Sequence, residues 1–122
     1  MGVLGETVRH AVEQFDTFPK PDFVQEVTLT SDEFTSLCPV TGQPDFCTVT
    51  ICYRPGKVCI ESKSLKLYLW QFREEGVFCE ALSSRICADV WNQIAPFAVT
   101  VTVEMRPRGG VAIRSEARRS YA

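Results

Sequence analysis

Apolar and polar positions alternate from Phe23 to Thr30, with Phe23, Val27 and Leu29 on one face and Glu26, Thr28 and Thr30 on the other. That two-residue period predicts a half-buried strand. Phe46 to Tyr53, rich in β-branched and aromatic residues, predicts a second strand. Between them, Pro39, Gly42 and Pro44 block both helix and regular strand, so the stretch from Phe34 to Phe46 predicts a stiff loop at one end of an antiparallel pair. Arg54-Pro55-Gly56-Lys57 has turn composition, and Val58 to Ile60 is a brief extended piece. The period then changes. Leu65, Leu69 and Phe72 keep the spacing of a buried helical stripe, in a helix from Glu61 to about Glu75 that Ser62 or Ser64 is placed to cap. After Gly76, the row Phe78, Leu82, Ile86 and Val90 predicts a second helix, ended by Pro96. Alternation returns from Ala98 to Arg106, with Val99, Val101, Val103 and Met105 on one face. It resumes, past the turn at Pro107 to Gly110, from Val111 to Glu116.

Two strands, two helices and two strands make an α+β domain, an antiparallel four-stranded sheet with both helices on one face. Residues 22–116 form this domain. Residues 1–21 read as an arm, with a short helix over Thr7 to Phe15, and residues 117–122 as a frayed tail.

Composition mainly excludes. The 122 residues are 45% hydrophobic and 23% charged with a net charge of -2, ordinary for one globular domain and without the basic excess of a general nucleic-acid binder. No apolar run is long enough to span a membrane, and Met1 to His10 lacks the basic flank and apolar core of a secretory signal. The cysteines (Cys38, Cys47, Cys52, Cys59, Cys79 and Cys87) are therefore expected as free thiols in a reducing cytoplasm. There is no Cys-x-x-Cys, the single histidine is His10, and Cys47 and Cys52 point to opposite faces of one strand, so no metal site is expected.

The candidate chemistry lies in the proline-rich loop. Cys38 and Asp45 on a rigid turn suit a nucleophile and an acid; a buried thiol and a turn-capping carboxylate fit the same residues. Lys63, Lys66 and Arg73 lie near one polar side of the first helix, where a solvated face is the ordinary reading of such residues taken by themselves. Glu80, in the first turn of the second helix, interacts favourably with the helix dipole whatever else it does.

Two motifs taken together say more. Cys38-Pro-x-Thr-Gly-Gln-Pro-Asp45-Phe, followed by Glu61-Ser-Lys-Ser-Leu-Lys-Leu-Tyr68, closely resembles the single-domain NADPH-dependent 7-cyano-7-deazaguanine reductases, the QueF-type nitrile reductases of queuosine biosynthesis. The resemblance covers roughly Phe23 to Ile113. It implies the tunnelling fold, in which ββααββ subunits assemble into an oligomeric barrel with active sites between subunits. It also implies a cytoplasmic homo-oligomer acting on a small molecule, with no direct contact to nucleic acid or membrane. By position, Cys38 matches the nucleophile that forms a thioimide and Asp45 the proton donor. Glu80 matches the glutamate that binds the base, with Glu61, Ser62 and Cys79 around the substrate, and Lys63, Lys66 and Arg108 match positions for the NADPH phosphates. One position departs: many members carry His-Glu where this chain has Cys79-Glu80. Cys79 is then either a small packing residue or a partner for Cys38 in a reversible disulfide. The rival readings are a same-fold amidinotransferase acting on nitrile-bearing tRNA, which lacks the second motif, a zinc-dependent cyclohydrolase on the same fold, whose ligand pattern is missing here, and a non-catalytic deazapurine-binding module.

Overall fold

The computed structural model describes residues 10–121. The strands are β1 (Thr17–Pro19), β2 (Val27–Leu37), β3 (Pro44–Arg54), β4 (Val58–Ile60), β5 (Ala98–Arg108) and β6 (Val111–Ser120). Between β4 and β5 lie α1 (Ser62–Trp70), continued by a 3-10 turn over Gln71–Glu74, and α2 (Cys79–Ile94). β2, β3, β5 and β6 form one antiparallel sheet in the order β2-β3-β5-β6, and β1 pairs with β4 in a separate two-stranded ribbon. The core lies between the sheet and the helices. Val49, Ile51 and Tyr53 of β3 and Val99, Val101 and Val103 of β5 are all at most 1% exposed, as are Tyr68, Phe72, Leu82, Ile86 and Val90 on the helical side.

Several expectations need correction. The helix expected over Thr7 to Phe15 lies partly outside the described residues, and the part from His10 onward is not helical. That segment is nevertheless tied down: Phe15 packs on Tyr68 with ring centroids 4.4 Å apart, and the Asp16 amide donates to Ser64 Oγ at 2.8 Å. Phe23, expected on a buried strand face, is 95% exposed with φ 71°, and this break in extension delays β2 to Val27. The cap of α1 is Glu61, whose carboxylate accepts from the amides of Lys63 at 2.9 Å and Ser64 at 2.8 Å. Ser64 is buried instead, its hydroxyl donating to the Glu61 carbonyl at 2.8 Å. Phe78 stands before α2 as its N-cap and is exposed, while Leu82, Ile86 and Val90 face the core as expected.

Of the tail expected to fray, residues 117–120 are strand and Tyr121 is packed. β6 continues to Ser120, paired with Ala98, and Tyr121 and Arg119 both lie against Trp91. An edge strand needs only one apolar face, and here Ile113 and Ala117 supply it among arginines that mask the pattern.

Two bulges lie at one end of the sheet. In β2 the pair Ser31↔Val49 is followed by Phe34↔Cys47, and in β5 the pair Met105↔Ile113 is followed by Arg108↔Val111. Each strand thus gains one residue on its partner. Because strand side chains alternate faces, one surplus residue reverses the alternation. The first bulge turns Phe34 and Ser36 to the core side, and the second does the same for Arg108.

Candidate active site

The β2–β3 hairpin closes tightly around Cys38. The Cys38 amide donates to the Gln43 carbonyl at 2.8 Å, and the Gly42 amide donates to the Cys38 carbonyl at 2.9 Å. Gly42 adopts φ 72°, a left-handed conformation that glycine takes without strain. This closure points the Cys38 thiol at the Thr41 hydroxyl and at the Thr41 and Val40 amides. The Gln43 amide donates into Thr41 Oγ1 at 3.2 Å, which leaves the Thr41 proton free for the sulfur. The Thr41 hydroxyl most of all, then the two amides, and more weakly Arg108, pull the thiol down from its ordinary range to about 7.

Asp45 follows Pro44 at the start of β3 and is 2% exposed. Arg108, at the end of the neighbouring strand β5, reaches it with a guanidinium nitrogen 2.8 Å from Oδ1. The same guanidinium hydrogen-bonds Cys38, and that contact, with the Asp45 carboxylate adding to it, raises the Arg108 pKa further. A single cation thus joins the thiol to the carboxylate. Asp45 Oδ2 is buried without a hydrogen-bond partner, and so is Ser36 Oγ, which sits directly opposite in the strand ladder.

Cys79 lies inward. It is 2% exposed, and its thiol donates to the Val103 carbonyl at 3.6 Å. Burial, followed by the adjacent Glu80 carboxylate, raises its pKa. Cys47 is pushed up to about 12, chiefly by burial and then by Cys79. Both are therefore protonated packing thiols, and all six cysteines are free.

The other expected residues are distributed elsewhere. Glu80 is in the first turn of α2 and exposed. Glu61 is committed to capping α1. Ser62, Lys63 and Lys66 are exposed on α1, and Ser62 and Lys66 line a groove of about 830 Å³ between that helix and β2, together with Trp70, Arg73, Asp32 and Glu33. Of the expected residues, Cys38, Asp45 and Arg108 come together, with Cys79 near enough to feel the charges of Arg108 and Asp45; the rest do not join them. Sequence reasoning missed Thr41 and Ser36. Thr41 lay inside the motif and needed only the turn geometry. Ser36 needed the bulge, without which it falls on the wrong face.

A family model described as QueF-like protein matches residues 44–122. The chain belongs to the QueF-like protein family. The QueF-like match begins just after the Cys38 loop and takes in Asp45, Glu80 and Arg108. An Anaeromyxobacter sp. protein named NADPH-dependent 7-cyano-7-deazaguanine reductase is 52% identical over 93 residues, 76% of each chain. A protein of the same name from Frankia casuarinae is 48% identical over 110 residues, 90% of this chain and 88% of its own. Among solved structures, the apo archaeosine synthase QueF-Like superposes with a TM-score of 0.76 at 22% identity, covering 81% of this chain and 97% of its own. That likeness shows a shared α+β fold. No helix among the described residues is long and apolar enough to cross a membrane.

Proposed function

We propose that this chain reduces the nitrile of 7-cyano-7-deazaguanine to the primary amine at the expense of NADPH, as the names of its relatives describe for them. The observation that carries the reading is a thiol held at about 7, joined through one guanidinium to a buried carboxylate. A nitrile carbon accepts hydride poorly until a nucleophile has added to it, and a thiolate is a strong nucleophile near neutral pH only when its pKa is lowered. Cys38 meets that requirement. As its sulfur bonds to the nitrile carbon, charge develops on nitrogen, and Asp45, once it has taken up the proton that the thiol releases, is placed to pass that proton on. Arg108 lies between the two and balances the single negative charge that thiol and carboxyl share while the proton moves. Its position supports a role at the reacting centre ahead of one on a phosphate.

The groove between α1 and β2 fits a dinucleotide in size, and Lys66 and Arg73 on its helical wall suit phosphates, with Lys63 nearby on the same helix. When bound, NADPH supplies the hydrides, two for each nitrile carried to the amine. Glu80 is exposed and suits recognition of the base's N–H groups, most simply toward a site shared with a second copy of the chain. β2 and β6 are the outer strands of the sheet, and exposed Phe46, Phe78, Phe97 and Val111 add apolar surface. Both features support a homo-oligomer whose subunits join edge to edge in the barrel of the tunnelling fold. Light scattering giving a monomer would remove that part.

The test is to mix the nitrile with wild type and with Cys38→Ala in the absence of NADPH and to record intact masses. A gain equal to the nitrile in wild type alone, followed by NADPH consumption once it is added, supports the reading. Tight binding of the nitrile with no covalent gain overturns it in favour of a binding module.

A further inference from the structure

Among the described residues, Ser36 Oγ and Asp45 Oδ2 are the buried side-chain oxygens that no hydrogen bond satisfies. They are not scattered. Ser36 and Asp45 are direct partners in the β2–β3 ladder, on the same face, at 0% and 2% exposure. Side chains so paired across a sheet lie close enough to touch. A hydroxyl beside a carboxylate ordinarily donates to it, yet both atoms stay open while Arg108 holds the other carboxylate oxygen at 2.8 Å. A buried donor and a buried acceptor left open side by side call for a ligand atom that accepts from one and donates to the other. An sp² nitrogen bearing one hydrogen and one lone pair has that pattern.

We propose that Ser36 Oγ and Asp45 Oδ2 form a two-point site for the nitrogen of the substrate nitrile, with Ser36 donating to its lone pair and Asp45 accepting from its N–H once the carbon has been attacked. The inference rests on the nitrile-reductase reading. In the addition the bond from Cys38 sulfur to carbon forms and one C–N π pair moves to nitrogen. Nitrogen takes up, through Asp45, the proton that the thiol gave up, so the step is neutral overall. Ser36 stabilises the charge that nitrogen carries before the proton arrives, as the donors of an oxyanion hole do for oxygen. The first bulge makes this possible, because it brings Ser36 to the side of the sheet where Asp45 lies.

The experiment compares wild type, Ser36→Ala and Ser36→Thr in three measurements: thermal midpoint, rate of covalent adduct formation without NADPH, and steady-state kcat and KM. Ser36→Ala is expected to fold with a midpoint equal to or above wild type, because it removes an unsatisfied buried hydroxyl. Its adduct rate and kcat should fall about 100-fold with little change in KM, the size of effect seen when one oxyanion donor is lost. Ser36→Thr, which keeps the donor, should recover most of the rate. Wild-type adduct formation together with an unchanged rate in Ser36→Ala overturns the inference and leaves the reductase reading intact. A Ser36→Thr protein with the wild-type midpoint but the slow rate of alanine overturns it as well. No adduct in wild type overturns the reductase reading itself, and this inference with it.

Discussion

Thr41→Val keeps the shape of the side chain and removes the hydroxyl that does most to hold the Cys38 thiol at about 7. The consequence for reactivity has two opposing parts. At pH 7 about half of such a thiol is ionised, about fifty times the fraction for a thiol that titrates at about 9. A less basic thiolate is also a weaker nucleophile, and a Brønsted coefficient of about 0.4–0.5 over two units takes back a factor of about 6–10. Cys38 should therefore exchange with a small aromatic disulfide about five to eight times faster than an ordinary thiol at pH 7, and about 6–10 times slower above about pH 10. The assay follows the released aromatic thiolate against pH and subtracts the Cys38→Ala background, to which Cys52, the one half-buried cysteine, is expected to contribute most. Wild type should inflect near 7. Thr41→Val should move the inflection part of the way toward 9, because the Val40 and Thr41 amides still face the sulfur. A wild-type inflection near 9, or identical curves for the two proteins, would refute the reasoning.

Arg108→Met should raise the same inflection by a smaller amount, since Arg108 contributes least among the groups that lower it; a downward shift would contradict this. Glu61→Ala removes the acceptor for the Lys63 and Ser64 amides and should cost about 0.5–2 kcal/mol in urea unfolding, with an unchanged midpoint showing that the cap is dispensable. Ending the chain after Glu116 removes the β6 pairs with Ala98–Val101 and the contacts to Trp91, so the thermal midpoint should fall; a frayed tail would leave it unmoved. Alkaline stability should also fall. Cys47 is raised to about 12 by burial, so between about pH 9 and 12 the unfolded chain releases a proton that the native state keeps, and stability is lost as pH rises through that window. Tyr53, also raised to about 12 by burial, adds to the upper part of the window, and Cys47→Val should flatten its lower part in pH-dependent urea melts.

The helices and the central strands were legible because each keeps a single period throughout. Leu65, Leu69 and Phe72, or Val99, Val101 and Val103, report their faces without help from other elements. Legibility fails where the period changes inside an element. The alternation in β2 breaks at Asp32 and Glu33, so the sequence reading stopped at Thr30, while the strand continues to Leu37. β1 is three residues long and exists only because β4 is there to pair with it. At the site, the motif supplied Cys38 and Asp45, but the link through Arg108 depends on a contact between residues 63 positions apart, made by the second bulge. The Glu61 cap went unseen because serines lead the preference for that position, whereas a glutamate whose carboxylate spans two amides serves here.

The two bulges have a further consequence for how this centre tolerates insertion, deletion and transplantation. A sheet conveys side-chain direction only as odd or even, and each surplus residue inverts the count for everything beyond it on that strand. Ser36 and Arg108 meet Asp45 only because the count is inverted on both flanking strands. Losing one residue at Asp32 or Pro107 leaves the composition almost untouched and every functional side chain in the gene. It would nonetheless send one of the two partners to the opposite surface. In-frame deletions there should be as damaging as loss of a functional group, although both positions look like spacers. Anyone moving the centre to another antiparallel sheet would have to carry three adjacent strands and both extra residues along with the cysteine, the aspartate and the arginine.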